Sequence, residues 1–265
     1  MKKKRHSSFT GCIGLLFGVI LCISLAPRPV MSAEGVDQDA DEILQSMSSY
    51  LAGATAFSVN ADIDNEIVTQ NGQKLQLSSY STITMERPAK FHVQRKGMFS
   101  NAEFVFDGKT LTLHGKNLNV YAQMEVPGTI DDAIRAMEFE TGLDAPGADL
   151  LFSDPYAILS SGIEDSFYLG IAYINGVECH HLAFREAKVD WQLWVQTGNA
   201  PLPIKYVITS KWHTAAPQYE VRLRDWDTKP GIKAGQFTFS VPEGAKRLET
   251  IPVNEMGELT IEEGK

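Results

Sequence analysis

Residues 57–86, FSVNADIDNEIVTQNGQKLQLSSYSTITME, decide the fold of this chain. Apolar and polar residues alternate over Phe57–Ile63, which is the pattern of a strand with one buried face. Asn71-Gly72 is the dipeptide best suited to a tight hairpin turn, because both residues tolerate a positive φ. Lys74–Glu86 then alternates again. The stretch therefore predicts a long antiparallel hairpin.

Period-two alternation continues beyond this hairpin, first directly after it and then again in the second half of the chain. Short turns such as Asp107-Gly108 and Asn175-Gly176 separate the runs, as expected for an antiparallel meander. The predicted further strands are Lys90–Lys96, Ala102–Asp107, Leu111–His114, Asn119–Glu125, Ser166–Tyr173, Val177–Phe184, Val189–Gln196, Ile204–Trp212, Tyr219–Asp225 and Phe237–Phe239.

Helical spacing occurs before the hairpin and in the middle of the chain. Ala40–Ala52 predicts a first helix, with Asp39 and Glu42 as its capping box. Thr129 and Asp132 form a second capping box, which opens a helix that ends at Gly142. Two short helical segments are predicted to follow, at Ala148–Phe152 and Pro155–Ser161.

These elements predict an α+β fold. A strongly curved antiparallel sheet of about ten strands, an unclosed half-barrel, would wrap around the N-terminal helix and the inserted helices. We expect one domain over residues 34–247 and an acidic, flexible tail over residues 248–265. If the helices cover the concave face incompletely, an apolar pocket remains between sheet and helices.

The first 33 residues have the composition of a secretory signal peptide. A basic head, Lys2–Arg5, precedes the apolar run Cys12–Ala26 and a cleavage site near Ala33. The run is shorter than a membrane span, so we expect no transmembrane anchor in the mature chain. The double envelope of a Gram-negative cell fits this signal best, and we predict a periplasmic protein.

The charge balance excludes several classes of partner. The chain carries a formal charge of −9. The charged residues among residues 1–33 are all basic, so removal of this segment makes the net charge more negative. Nucleic acids and anionic lipid surfaces bind basic patches, so neither is an expected partner. Removal of the signal peptide also leaves Cys179 as the one remaining cysteine, so an internal disulfide cannot form.

Cys179-His180-His181 is the most reactive run of residue types in the chain. On a strand, only Cys179 and His181 share a face, and no C-x-x-C or H-x-x-x-H partner accompanies them. We therefore predict no catalytic residue, no metal site and no cofactor. A metal-dependent or thiol hydrolase built on these two residues is the least favoured alternative.

Several segments resemble an uncharacterised family of predicted periplasmic proteins, related to the lipoprotein carrier and receptor LolA and LolB and to the regulator RseB. The resemblance covers nearly the whole mature chain and implies an unclosed barrel with a helical lid and a cavity for acyl chains. The segments that carry it are DEILQSMSSYLAG (41–53), FSVNA (57–61), DPYA (154–157), GVECHHLAFR (176–185), DWQLWV (190–195), PLPIKY (201–206) and FTFSVPEGA (237–245).

The resulting hypothesis is a non-enzymatic periplasmic protein that binds a lipid, an acyl chain or a lipoprotein-like apolar ligand in the half-barrel cavity. The alternative is a sensor or protein-interaction module like RseB, whose partner would be an envelope lipoprotein or a membrane protein bound at a sheet edge or at the acidic tail. The predicted cavity lining is Phe91, Val93, Phe104, Phe106, Met124, Leu182, Phe184 and Trp194.

Overall fold

The computed structural model describes residues 35–98, 100–142 and 145–250. The predicted signal peptide and most of the predicted acidic tail lie outside these residues. The described chain forms a twelve-stranded sheet with three α-helices and one 3-10 helix. The α+β class and the open, curved antiparallel sheet are as the sequence predicts.

The helices and strands follow the predicted order. The helices are α1 (Gln38–Gly53), α2 (Ile130–Thr141), the 3-10 helix (Ala148–Leu151) and α3 (Pro155–Leu159). The strands are β1 (Ala56–Val68), β2 (Lys74–Glu86), β3 (Lys90–Gly97), β4 (Asn101–Phe106), β5 (Thr110–Gly115), β6 (Val120–Glu125), β7 (Asp165–Ile174), β8 (Val177–Arg185), β9 (Val189–Gln196), β10 (Pro203–Ser210), β11 (Gln218–Asp227) and β12 (Lys246–Arg247).

The predicted β1–β2 hairpin lies in the middle of the sheet. The strand order is β12-β6-β5-β4-β3-β2-β1-β11-β10-β9-β8-β7, and every pair is antiparallel except β12 with β6. Ala61 of β1 stands between Ser81 of β2 and Leu223 of β11. Because side chains alternate across a strand, this register places the apolar stripe of β1 on one face together with those of its neighbours.

Both long helices have the caps that their sequences suggest, with one correction. The side chain of Asp37 accepts a hydrogen bond from the backbone N–H of Ala40, so Asp37 caps α1 and the predicted Asp39 lies inside the helix. The capping box of Thr129 and Asp132 is confirmed at α2.

Within the described ranges, no helix is long and apolar enough to cross a membrane.

The prediction of a last strand at Phe237–Phe239 is wrong. The backbone N–H of Thr238 donates to the carbonyl of Gly235 within a turn, so it is not available for a sheet ladder. The Phe239 ring instead lies 5.5 Å from the Tyr121 ring of β6. The pairing with β6 is made further on, by the two residues of β12.

The concave face of the sheet has two differently covered halves. In the filled half, β7–β10, the helix α1 packs against β7 and β8 and buries Leu44, Met47 and Leu51 completely. In the cavity half, β1–β5 and β11, the cover consists of α2 and the segment 145–151. This second cover leaves space beneath it.

Candidate ligand cavity

A cavity of about 240 Å³ lies between the cavity half of the sheet and its cover. One row of its wall crosses four strands, with Ile83 beside Val93, Val93 beside Phe104 and Phe104 beside Leu113. The sheet side consists of Val59, Ala61, Ile63, Ser81, Ile83, Phe91, Val93, Arg95, Phe104, Leu113, Tyr219, Val221, Leu223 and Trp226. The covering side consists of Ile134, Met137, Thr141, Ala145, Pro146, Gly147, Ala148, Leu150 and Leu151.

Hydrogen bonds at one end of the cavity fasten the cover to the sheet. The Arg87 guanidinium, just after β2, donates to the Leu151 carbonyl at 3.1 Å. The Ile130 N–H at the start of α2 donates to the Pro88 carbonyl at 2.9 Å. Burial lowers the pKa of Arg87, although the nearby Asp131 carboxylate acts in the opposite direction. The cover is therefore held where β2 turns into β3.

Three of the eight predicted lining residues lie on the cavity wall. Phe91, Val93 and Phe104 are paired across β3 and β4 and share the concave face. Val93 and Phe104 are only partly buried, because the space beneath the cover adjoins their side chains. These three residues remain the predicted ligand contacts.

The other five predicted residues lie outside the cavity. Phe106 is fully buried against the Phe91 ring, with the ring centroids 5.7 Å apart, and Met124 packs beside the core on β6. Leu182 and Phe184 are buried on β8, the strand against which α1 packs. The remaining residue of the five is Trp194.

Trp194 differs from the other four because its side chain lies on the outer face of the sheet. Its ring stacks on His181 at 4.1 Å, and the Lys205 ammonium lies 5.0 Å from the ring centroid. Trp191, three residues earlier, stacks instead on Phe184 at 3.9 Å. The opposite parity of the two tryptophans on β9 explains this division.

The sequence analysis missed the most polar residue of the wall, Arg95. It shares the concave face of β3 with Phe91 and Val93, and its Nε donates to Ser79 Oγ at 3.2 Å. A signal was present in the sequence, because Arg95 has the same parity as those two apolar residues. An arginine within an apolar stripe is unusual for a filled core.

A half-buried acid, Asp149, lies at the junction of the cover and the filled half. Burial, together with the neighbouring Glu138 and Glu186, raises the pKa of Asp149 to about 6. The Tyr206 hydroxyl of β10 donates to this carboxylate. Asp149 belongs to the 3-10 helix of the cover, so this contact joins the cover to a strand of the filled half.

Cys179 and His181 do not form a reactive pair in the structure. Cys179 is completely buried, and burial raises the pKa of its thiol to about 11, which disfavours the nucleophilic thiolate at neutral pH. The His181 Nε2 lies 2.9 Å from Gln192 Oε1. Within the described ranges, no three histidine, cysteine, aspartate or glutamate side chains are grouped so as to hold a metal ion.

A family model accounts for most of the chain, since residues 40–251 match that of DUF2092, described as a predicted periplasmic protein. The chain belongs to the DUF2092 family. The resemblance to an uncharacterised periplasmic family is therefore confirmed, and the match includes most of α1 and every element from β1 to β12. No curated protein matches this chain.

Solved structures similar to this DUF2092 protein include LprF from Mycobacterium bovis, at 14% identity and a TM-score of 0.44, covering 79% of this chain and 98% of that one. MucB in the Pseudomonas aeruginosa MucA/MucB complex has 14% identity and a TM-score of 0.43, with 76% and 61% covered. A LolA superfamily protein from Nitrosomonas europaea has 9% identity and a TM-score of 0.37, with 76% and 97% covered.

Proposed function

We propose that this DUF2092 protein is a non-enzymatic periplasmic binding protein that holds a lipid or another apolar ligand in the cavity. The observation that carries the proposal is an open space of about 240 Å³ between an apolar sheet face and an apolar cover. A protein interior is normally close-packed, with few voids larger than one water molecule. A space of this size and lining favours an apolar guest over bulk water.

The expected affinity follows from burial of methylene groups. Each buried methylene contributes about 0.8 kcal/mol, so a chain of about ten carbons gains roughly 8 kcal/mol before the cost of ordering it. Without that cost the gain would correspond to a dissociation constant of about 1 μM, so the measured constant should be higher than this. Such binding requires no catalytic group.

The first experiment is native mass spectrometry of the mature protein, purified from the periplasm without detergent, followed by organic extraction. We expect a stoichiometric adduct whose mass identifies an apolar ligand. A clean apo mass, together with failure to bind added fatty acids and phospholipids, would overturn the proposal.

A variant pair separates ligand contact from folding. Phe104→Asp places a carboxylate on the cavity wall, so we expect loss of the ligand with little change in secondary structure. Asn101→Asp is the matched control, because it adds the same charge to β4 at a half-buried position away from the wall. Global unfolding of Phe104→Asp alone would identify Phe104 as a core residue.

A second candidate function is protein interaction at the free edge strand β7. Leu169, Ile171 and Tyr173 are spaced two residues apart along this strand and are 54%, 49% and 65% exposed. Within the described part of the sheet, β7 pairs with β8 alone. Its other side is occupied at Ser166 by Gly35 and Asp37, and beyond that point it can accept a partner strand. An apolar edge of this kind is the feature that favours the candidate.

Crosslinking in cells tests the second candidate. A photoreactive residue at Tyr173 should capture one membrane or envelope protein, and the double variant Leu169→Lys, Ile171→Lys should abolish the capture. Leu118→Lys is the control, since Leu118 is an exposed apolar residue of the β5–β6 turn, far along the strand order from β7. Equal capture in all variants would exclude the edge as the binding surface.

A further inference from the structure

Arg95 lies at the end of an apolar wall. Phe91, Val93 and Arg95 occupy alternate positions on β3, so the apolar part and the guanidinium follow one another over about 13 Å of strand. Only Ser79 bonds to the Arg95 side chain among the described residues, through Nε. The terminal nitrogens remain available as donors at the edge of the cavity.

The other arginines of the central strands have acidic partners. Arg222 forms ion pairs with Asp64 and Glu220, and Arg224 pairs with Asp62 and Asp225. In the described ranges, no carboxylate lies within ion-pair distance of Arg95, although the chain as a whole is acidic, with a formal charge of −9. Among the residues that the structure describes, the positive charge on the wall therefore has no acidic partner.

Tyr219 does not provide that counter-charge. It lines the cavity, but burial raises the pKa of its hydroxyl to about 12, and the nearby Arg95 offsets this rise only in part. Its phenol therefore stays neutral at physiological pH. An anionic group of a ligand would supply the partner that the described residues do not give to Arg95.

A second, smaller cavity adjoins Arg95 on the other side. It measures about 30 Å³, and its lining combines Arg95 and hydroxyl and amide side chains with Leu77, Gly97 and Met98. This is room for about two water molecules, so it accommodates a small anionic head such as a carboxylate but no sugar or choline group. Its polar lining residues are Asn65, Ser78, Ser79, Arg95 and Ser100.

The volume of the larger cavity limits the length of the chain. An engineered apolar cavity of about 150 Å³ holds benzene, which has six carbons, so 240 Å³ suits about ten carbons. A second acyl chain would not fit beside the first. The volume therefore favours a single chain of medium length.

We propose that the ligand is a medium-chain carboxylate, with its carboxylate on the Arg95 guanidinium and the Ser79 hydroxyl and its chain along Val93 and Phe104. This inference rests on the proposed function and adds the class of the ligand. A guanidinium binds a carboxylate through two parallel hydrogen bonds, which fixes the orientation of the chain.

Calorimetric titration of the mature protein with decanoate, decanol and decylamine tests the inference. We expect decanoate to bind about tenfold to a hundredfold more tightly than decanol, because a hydrogen bond to a charged group contributes about 1.4 to 3 kcal/mol. Decylamine should bind most weakly. From hexanoate to decanoate, affinity should rise about fourfold per methylene and then level off.

Variants assign the preference to one side chain. Arg95→Gln should remove the difference between decanoate and decanol, and Arg95→Lys should keep part of it. Lys96→Gln is the matched control, since it removes the same charge from the next residue of β3, which lies on the opposite face. If Arg95→Gln fails to fold, the comparison of probes on the wild type and on Arg95→Lys still decides.

Each outcome has a separate meaning. Equal affinity for decanoate and decanol, unchanged in Arg95→Lys, would overturn the carboxylate inference and leave apolar binding intact. Absence of binding by all three probes and by longer acids would overturn the proposed function itself. A preference for decanoate that persists in Arg95→Gln would assign the anion to a different site.

Discussion

The two halves of the concave face are built from similar strands and differ in what covers them. In the filled half, α1 lies against β7 and β8, and Leu182 and Leu193 are fully buried. In the cavity half, α2 and the segment 145–151 leave about 240 Å³ unfilled, and Val93 and Phe104 are only partly buried. The same alternating pattern lines a packed core in one half and a cavity in the other.

The difference shows that a strand determines which face is apolar but does not determine whether that face is filled. The side of α1 that faces the sheet presents Leu44, Met47 and Leu51, all completely buried. The cover of the cavity half includes Ala145, Pro146, Gly147 and Ala148, whose side chains are small or absent. Small residues over an apolar sheet leave space that large residues would occupy.

The largest expected effect contrasts truncations in the two halves. Leu182→Ala should lower the free energy of unfolding by about 2–5 kcal/mol, because it opens a new void in a packed region. Ile83→Ala should cost about half as much, because Ile83 already borders empty space. Urea unfolding followed by tryptophan fluorescence measures both, and equal costs would contradict the division into halves.

Enlarging a side chain should give the opposite contrast. Ala40→Leu in α1 should destabilise the protein by about 1–3 kcal/mol, because Ala40 is completely buried and a larger side chain would clash with its neighbours. Ala148→Leu points into the cavity and should be tolerated, while it weakens binding of any apolar probe. Thermal unfolding and calorimetric titration of the two variants provide the readout. Loss of stability in Ala148→Leu would show that its surroundings are already full.

The smallest expected effect concerns Asp149, which joins the cover to the filled half. Its pKa is raised to about 6, so its ionisation costs stability above pH 6, and this cost disappears as the pH falls toward 4. Asp149→Asn keeps an acceptor for Tyr206 and should stabilise the protein by about 1–2 kcal/mol at pH 7.5, with about a third of that gain left at pH 4.5. Unfolding curves at the two pH values test this. An equal gain at both pH values would show that the effect does not depend on the ionisation of Asp149.

The succession of strands along the chain and the positions of the turns could be predicted from local chemistry, whereas the pairing of β1 with β11 could not. The Asn71-Gly72 turn and the capping box at Thr129 depend on residues that are close in sequence, and the structure confirms both. The predictions of a helix cap at Asp39 and of a strand at Phe237–Phe239 are wrong. More than one local hydrogen-bond pattern suits each of these sequences. At α1 the cap that forms is two residues earlier, at Asp37.

The candidate site was less accessible to sequence reasoning. Phe104 and Phe106 lie two positions apart on one strand and are chemically identical, yet only Phe104 lies on the cavity wall. What separates them is the position of α2 and the segment 145–151, which is set by tertiary packing. Arg95 was detectable in principle, because a charged residue interrupts an apolar stripe at a fixed parity.

The complete burial of Cys179 gives the protein a built-in reporter of its own unfolding. Beyond residue 33 it is the sole cysteine in the sequence, and a thiol-modifying reagent can reach it only when the surrounding strands separate. The rate of its alkylation therefore measures opening of the sheet around β8 without any engineered label. In an oxidising compartment the same burial prevents folded molecules from forming disulfide-linked dimers. Unfolded chains expose Cys179 and can form an intermolecular disulfide.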